Sequence, residues 1–341
     1  MKFNIPAGEA SRFDAVCAVA RDGDTIELED GGEYPTAGAW AFPAPHYTLQ
    51  SGVTLRAGTA RIVLRDPVTS VNGVIRPDKD LFILRAGAGV TVIGGVWDAN
   101  YKGNPGWFCS GMRFHGQFTV SGSTIKGLKG SRSSGTPSGA VEVFAISSEG
   151  STGGSLVNGV SVVDCEVKDR DSYVSGIFLG GTIPTSNPST VKRCLVDLGE
   201  LGQFAYAANY HTTISGCIGK AARGFYNDTG DTIGCRMVGC EIDASYAGAS
   251  MVSGLTPSER QLLITDCEIR SPRMIEWWEC SEGPQMTGGI VVDRSKFTGN
   301  MLASTMSPRG TIAFTDIDWT NATPEHPFVV QGDGAAPLWI R

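Results

Sequence analysis

Two carboxylates stand beside aromatic rings at matching places in the chain. Asp228 lies in GFYND (224–228) and Glu276 in MIEWW (274–278), with Tyr226 and Trp278 two residues away. A pair of carboxyl groups about 6.5–9.5 Å apart hydrolyses a glycosidic bond with inversion: one protonates the leaving oxygen and the other activates a water. Ring faces offer the apolar surface that a sugar stacks on. Glu142 is a third candidate acid. Arg113, His115, Arg223 and His211, with Tyr226, suit a different chemistry. In elimination a base removes a proton next to a carboxylate while a cation holds that carboxylate. The chain has 4 histidines, and none has metal-type spacing to another.

These residues converge only if the backbone repeats. Cysteines recur in short apolar runs: Cys165 in VVDCEV, Cys194 in VKRCLV, Cys217 in TISGCI, Cys240 in MVGCEI and Cys267 in LITDCEI. Gly95, Ser123, Ser295 and Ile317 hold the same slot in flanking runs. A second series interleaves, anchored at Met112, Val141, Ile177, Phe204, Phe225, Met251, Ile275, Leu302 and Phe328. The runs are short, alternating and rich in Val, Ile, Phe and Thr, which is strand chemistry. Two or three short strands every ~21–29 residues describe one coil of a parallel β-solenoid. The cysteines then form a ladder of small buried side chains inside it.

Alternation along each strand predicts which side chains face out. Residues one and three past each anchor form the outer column: Arg113/His115, Glu142/Phe144, Phe178/Gly180, Ala205/Ala207, Tyr226/Asp228 and Glu276/Trp278. Gly180, Ala205 and Ala207 leave room on this wall. Asp228 and Glu276 fall two coils apart, about 9.6 Å at ordinary strand spacing. Trp277 and Asn227 are expected to face inward, and Phe204 inward as an anchor.

Residues 11–21, SRFDAVCAVAR, are the one clear amphipathic helix, with Ser11 as N-cap and Phe13, Val16, Cys17 and Ala20 as its apolar stripe. It is expected to plug the N-terminal end of the solenoid. The Gly/Ser/Thr-rich stretch 130–155 reads as a loop-rich insertion, and 147–155 as flexible loop. The whole chain, 1–341, is read as a single β-helix domain.

Composition excludes several classes. Hydrophobic residues at 41% exclude a disordered chain. Lys+Arg 28 against Asp+Glu 35 gives net charge -7, which argues against nucleic acid as a partner. No run of residues is apolar enough for a membrane span. The N-terminus has no signal-peptide core, so localisation is open between an extracellular and a virion-associated protein. Nine cysteines in 341 residues do not read as a disulfide framework, though Cys17, Cys109, Cys235 and Cys280 lie off the ladder and leave a disulfide among them open.

The repeat, the opening helix followed by GDTIELEDGGEY, and the runs QSGVTLRAG (50–58) and VTVIGGVWDAN (90–100) resemble the pectin lyase-like superfamily. The resemblance implies an all-β, right-handed parallel β-helix that acts on or binds a polysaccharide or oligosaccharide in an outer groove. The superfamily's Asn-Thr-Asp, Asp-Asp, Gly-His-Gly and Arg-Ile-Lys elements are absent, so no catalytic residue carries over. The reading favours a glycoside hydrolase using Asp228 and Glu276, without a cofactor. The rivals are a β-eliminating lyase, for which Ca²⁺ would serve, and a non-catalytic or tailspike-like binding module. Either a monomer or a homotrimer fits. Asp228 with Asp231, or Asp164 with Asp169 and Asp171, would begin a Ca²⁺ site.

Overall fold

The computed structural model describes residues 1–36, 39–40, 46–65, 69–70, 80–104, 108–130, 143–150, 153–167, 174–181, 186–227, 234–253, 262–279, 289–306, 311–320, 328–331 and 338–340. Its strands run parallel, each paired with the equivalent strand one coil away. On one face the pairing is unbroken from Lys2–Ile5 to Leu338–Ile340. The chain is therefore a parallel β-helix.

Each central coil has three faces. Phe118–Ser121, Leu156–Asn158 and Ser189–Lys192 stack on the first, and Thr124–Lys126, Ser161–Val163 and Leu195–Asp197 on the second. Phe108–His115, Val143–Glu149, Val174–Leu179 and Phe204–Ala208 stack on the third. In Ile218–Asn227 and Glu241–Ser253 the second and third faces join into one long bent strand.

Alternation decides what lies inside. On the first face Val120, Val157, Val191, Ile214, Met237, Ile264, Val292 and Phe314 are in register, and all are buried. Burying each such side chain contributes roughly 1.5–3 kcal/mol, so the stacked columns supply the main force that winds the chain.

The thiol ladder forms at the bend between the first and second faces. Cys194 N donates to Cys217 Sγ at 3.5 Å, Cys240 N to Cys267 Sγ at 3.4 Å, and Cys267 N to Ser295 Oγ at 3.1 Å. Ser295 fits the slot because its oxygen accepts the same bond. Cys165 is not a rung. Leu195 N donates to Val160 O and Ser161 N to Ser123 O, which places Val160 between Ser123 and Cys194. The matching motif is VNGVSV, and VVDCEV is a chance echo five residues later. Before each rung the backbone turns left-handed, at Gly122, Gly159, Gly216 and Gly239 but also at Arg193, Asp266, Arg294 and Asp316. The eight described cysteines are free thiols; Cys280 lies outside the described residues.

The helix spans Ala10–Val19, starting one residue and ending two residues earlier than the expected 11–21. Its N-cap is Glu9 with no side-chain cap bond, so Ser11 sits inside the first turn. Phe13 and Cys17 are buried, and the Phe13 ring lies 4.2 Å from that of Tyr47 and 5.7 Å from that of Tyr34. In the stretch expected as loop, Ser147, Ser148 and Glu149 belong to a strand, paired with Arg113, Phe114 and His115. Residues 131–142, which hold most of the Gly/Ser-rich run, lie outside the described residues.

Candidate functional site

The third face breaks strict alternation at one corner per coil. Four consecutive residues point out, in, in and out: Phe144-Ala145-Ile146-Ser147, Phe204-Ala205-Tyr206-Ala207, Arg223-Gly224-Phe225-Tyr226 and Arg273-Met274-Ile275-Glu276. The middle pairs other than Gly224 are core residues. The first inward position is tight. A Cβ at Gly176 would lie 2.2 Å from Ala205 O, and one at Gly224 2.5 Å from Gly248 O. Glycine there lets successive coils close on each other.

This corner corrects the expected outer wall. Phe204 is only 3% exposed and is covered on this side by Tyr226, with ring centroids 5.4 Å apart. Ala205 is core, and Tyr206 points inward to donate its hydroxyl to Ile218 O at 2.7 Å. The outer register reads Arg113, Ser147, Phe178, Ala207, Tyr226, Ser250, Glu276 and Ser304. Ser147, not Glu142, is therefore the neighbour of Arg113. The long insertion shifts the alignment, and Met112 pairs with Ile146 rather than Val141. Trp277 and Asn227 are buried as expected. Asn227 Nδ2 donates to Ala208 O at 2.9 Å.

Four rings make a platform on this face. Phe144 stacks on Phe178 at 5.6 Å, Phe204 lies 6.3 Å from Phe144, and Tyr226 continues the row. With Asn209 and Asn227 they border a cleft of about 30 Å³. That is too small to enclose a sugar ring.

Beyond Tyr226 the platform meets a cluster of opposite charges. The Arg223 guanidinium lies 5.2 Å from the Tyr226 centroid and 4.7 Å from that of Tyr246, and Arg273 lies 4.4 Å from Tyr246. Tyr246 thus contacts both cations. Glu276 ties them together. Arg273 Nη1 donates to its Oε1 at 3.2 Å, Ser250 Oγ donates to its Oε2 at 2.8 Å, and Arg223 Nε donates to Ser250 Oγ at 3.2 Å. Burial, with the hydrogen-bonded Glu276 carboxylate beside it, pushes the Tyr246 phenol up.

Glu276 is therefore not the open-wall acid that alternation implied. It is 3% exposed and held by Ser250 and Arg273, with Arg223 at 3.8 Å. Asp228 and Glu142 lie outside the described residues, as does the side chain of Trp278, whose backbone is in register with Val252 and Met306. His211 sits in the turn before Thr212–Ser215 with φ 30, and its carbonyl accepts from Ser189 N at 3.1 Å. A side chain at Gly234 would meet the His211 ring.

Sequence reading missed Arg273, Tyr246 and Ser250. The recurring four-residue unit, RGFY (223–226) beside RMIE (273–276), carried the signal. Among the described residues no group of three or more His, Cys, Asp and Glu is placed to hold a metal ion. Asp231, Asp169 and Asp171 are outside that set. A second hollow, of about 210 Å³, lies on the second face. There Asp197, Lys220, Asp243 and Arg270 are in register with alternating sign and answer one another's charge. No described helix is long and apolar enough to cross a membrane.

No protein-family model matches the sequence, and no curated protein does. Solved structures do match in fold. The A-module of the mannuronan C-5 epimerase AlgE4 of Azotobacter vinelandii aligns with TM-score 0.58 at 10% identity, over 99% of this chain and 100% of that one. A tailspike protein mutant of E. coli bacteriophage HK620, in complex with a pentasaccharide, aligns with TM-score 0.56 at 13% identity. That match takes in 96% of this chain, which spans 62% of the tailspike chain. The fold these matches share with the chain is the parallel β-helix.

Proposed function

We propose that the protein holds an acidic polysaccharide across its third face and cleaves it by β-elimination at the Arg223–Tyr226 end of the platform. The carrying observation is a row of partly exposed rings, Phe144, Phe178 and Tyr226, packed over the buried Phe204, with an arginine stacked on the last. Sugar rings lie on Phe144 and Phe178. Arg223 holds the carboxylate of the reacting uronate, which stabilises the charge that develops when the neighbouring proton leaves. Tyr226, as its phenolate, takes that proton. The electron pair becomes a carbon–carbon double bond, the adjacent glycosidic C–O bond breaks, and the leaving oxygen takes up the proton that Tyr226 accepted, which returns the phenolate.

Hydrolysis fits less well, because a paired-acid mechanism needs accessible carboxyl groups. Glu276 is enclosed by Ser250 and Arg273. Two solved structures of like fold support a glycan ligand: one is a mannuronan epimerase and the other holds a pentasaccharide. In this reading the coils wind right-handed, as parallel crossovers overwhelmingly do. Helix Ala10–Val19 covers the N-terminal end of the core.

The test is incubation with polyuronates and glycosaminoglycans, read by reducing ends and by the ultraviolet absorbance of an unsaturated uronate. Both signals should rise together, and Tyr226→Phe should lose both while still binding the chain. Reducing ends without absorbance would favour hydrolysis. Binding without either signal would favour the non-catalytic module.

A further inference from the structure

The first coils of the same face present a second concentration of positive charge. Arg85 and Arg113 are direct register partners on adjacent strands. Like charges so placed repel. The Arg113 guanidinium lies 5.1 Å from the Phe82 ring centroid, and Arg85 donates from Nε and Nη2 to His115 Nε2 at 3.3 and 3.2 Å. Arginine has no acceptor, so His115 Nε2 accepts and its proton sits on Nδ1. Glu149 takes the register position beside His115. Burial, then Arg85 and Arg113, holds His115 below the usual imidazole range; burial, then Arg85, lowers His46 to about 4.

We propose that Arg85 and Arg113, braced by His115 and Phe82, form a distal subsite for a carboxylate of the same polyuronate chain that reaches Arg223. This deepens the acidic-glycan reading and rests on it. The register links the two places directly: Arg113, Ser147, Phe178, Ala207 and Tyr226 are successive partners. Four strand spacings separate Arg113 from Tyr226, about 19 Å. The intervening surface is the aromatic platform, so a bound chain meets rings in the middle and guanidinium forks at both ends. Arginine forks pair two-point with planar carboxylates. The ligand is then a chain long enough to span both forks, and one of two or three sugars reaches only one.

The test is calorimetric binding of oligouronates of graded length to the full chain and to the Arg85→Gln/Arg113→Gln double variant. With wild type, oligomers that span both clusters should bind about tenfold or more tighter than a dimer, beyond the statistical gain of extra repeats. In the double variant that ratio should fall to within about twofold. A ratio unchanged in the variant would overturn the distal subsite and leave the acidic-glycan reading standing. No binding of any oligouronate to wild type, at any length, would overturn both.

Discussion

Arg273 and Glu276 leave the same face of one coil on either side of a two-residue inward corner, and Arg273 Nη1 donates to Glu276 Oε1 at 3.2 Å. The carboxylate is 3% exposed, whereas the Arg273 and Arg223 side chains keep 28% and 23%. The acid therefore acts as an internal brace and the guanidiniums keep the exposed edge.

Removing the brace should be costly. Glu276→Ala strands two cations over a buried gap, and breaking such a pair costs about 3 kcal/mol. Urea unfolding measures it. A loss under about 1 kcal/mol would mean the cluster behaves like an exposed ion pair.

The corner glycines should be less replaceable than the turn glycines. Gly176→Ala drives a methyl group into Ala205 O and is expected to cost at least about 3 kcal/mol. Gly122 has φ 63 and nothing within 4 Å of the added Cβ, so Gly122→Ala should cost only the left-handed penalty of about 1 kcal/mol. Equal losses in denaturant would contradict this account of the corner.

The buried thiols predict an alkaline weakness. Burial pushes Cys235 from 9.0 up to about 12. The folded state keeps the proton that the unfolded chain releases, so its contribution is full below pH 9 and is lost as pH rises towards 12. The urea midpoint should fall across that window, and less steeply in Cys235→Ala. Thiol reagents should label this residue only after unfolding.

The platform can be tested ring by ring. Phe178→Ala removes a partly exposed ring stacked on Phe144 and should weaken oligosaccharide binding about tenfold while the fold persists. Tyr206→Phe, which removes only an inward hydroxyl, should leave binding unchanged and reduce stability by about 1 kcal/mol. Equal binding by Phe178→Ala and wild type would remove the platform from the site.

Much of the architecture was legible because a coil buries small apolar residues at regular intervals. Cys194, Cys217, Cys240 and Cys267 announced the stack by themselves. Cys165 misled because an apolar run with a cysteine looks like a rung wherever it falls, and only pairing shows that Val160 occupies the slot. The site was less legible. Period-two reasoning put Ala205 outside, whereas two successive inward residues bury both Ala205 and Tyr206. Arg223 and Tyr226 were found because one of them obeys alternation and the other sits beside it. Arg273 holds in RMIE the place that Arg223 holds in RGFY and was passed over, and Tyr246 belongs to a bent strand that spans two faces.

The out-in-in-out corner gives four coils two outer positions three residues apart, at Phe144 and Ser147, Phe204 and Ala207, Arg223 and Tyr226, and Arg273 and Glu276. Register stacks these positions coil upon coil, as Phe204 on Arg223 and Ala207 on Tyr226. An exchange at one of them therefore alters a single step of the outer surface and leaves the inward pair, and with it the winding, in place.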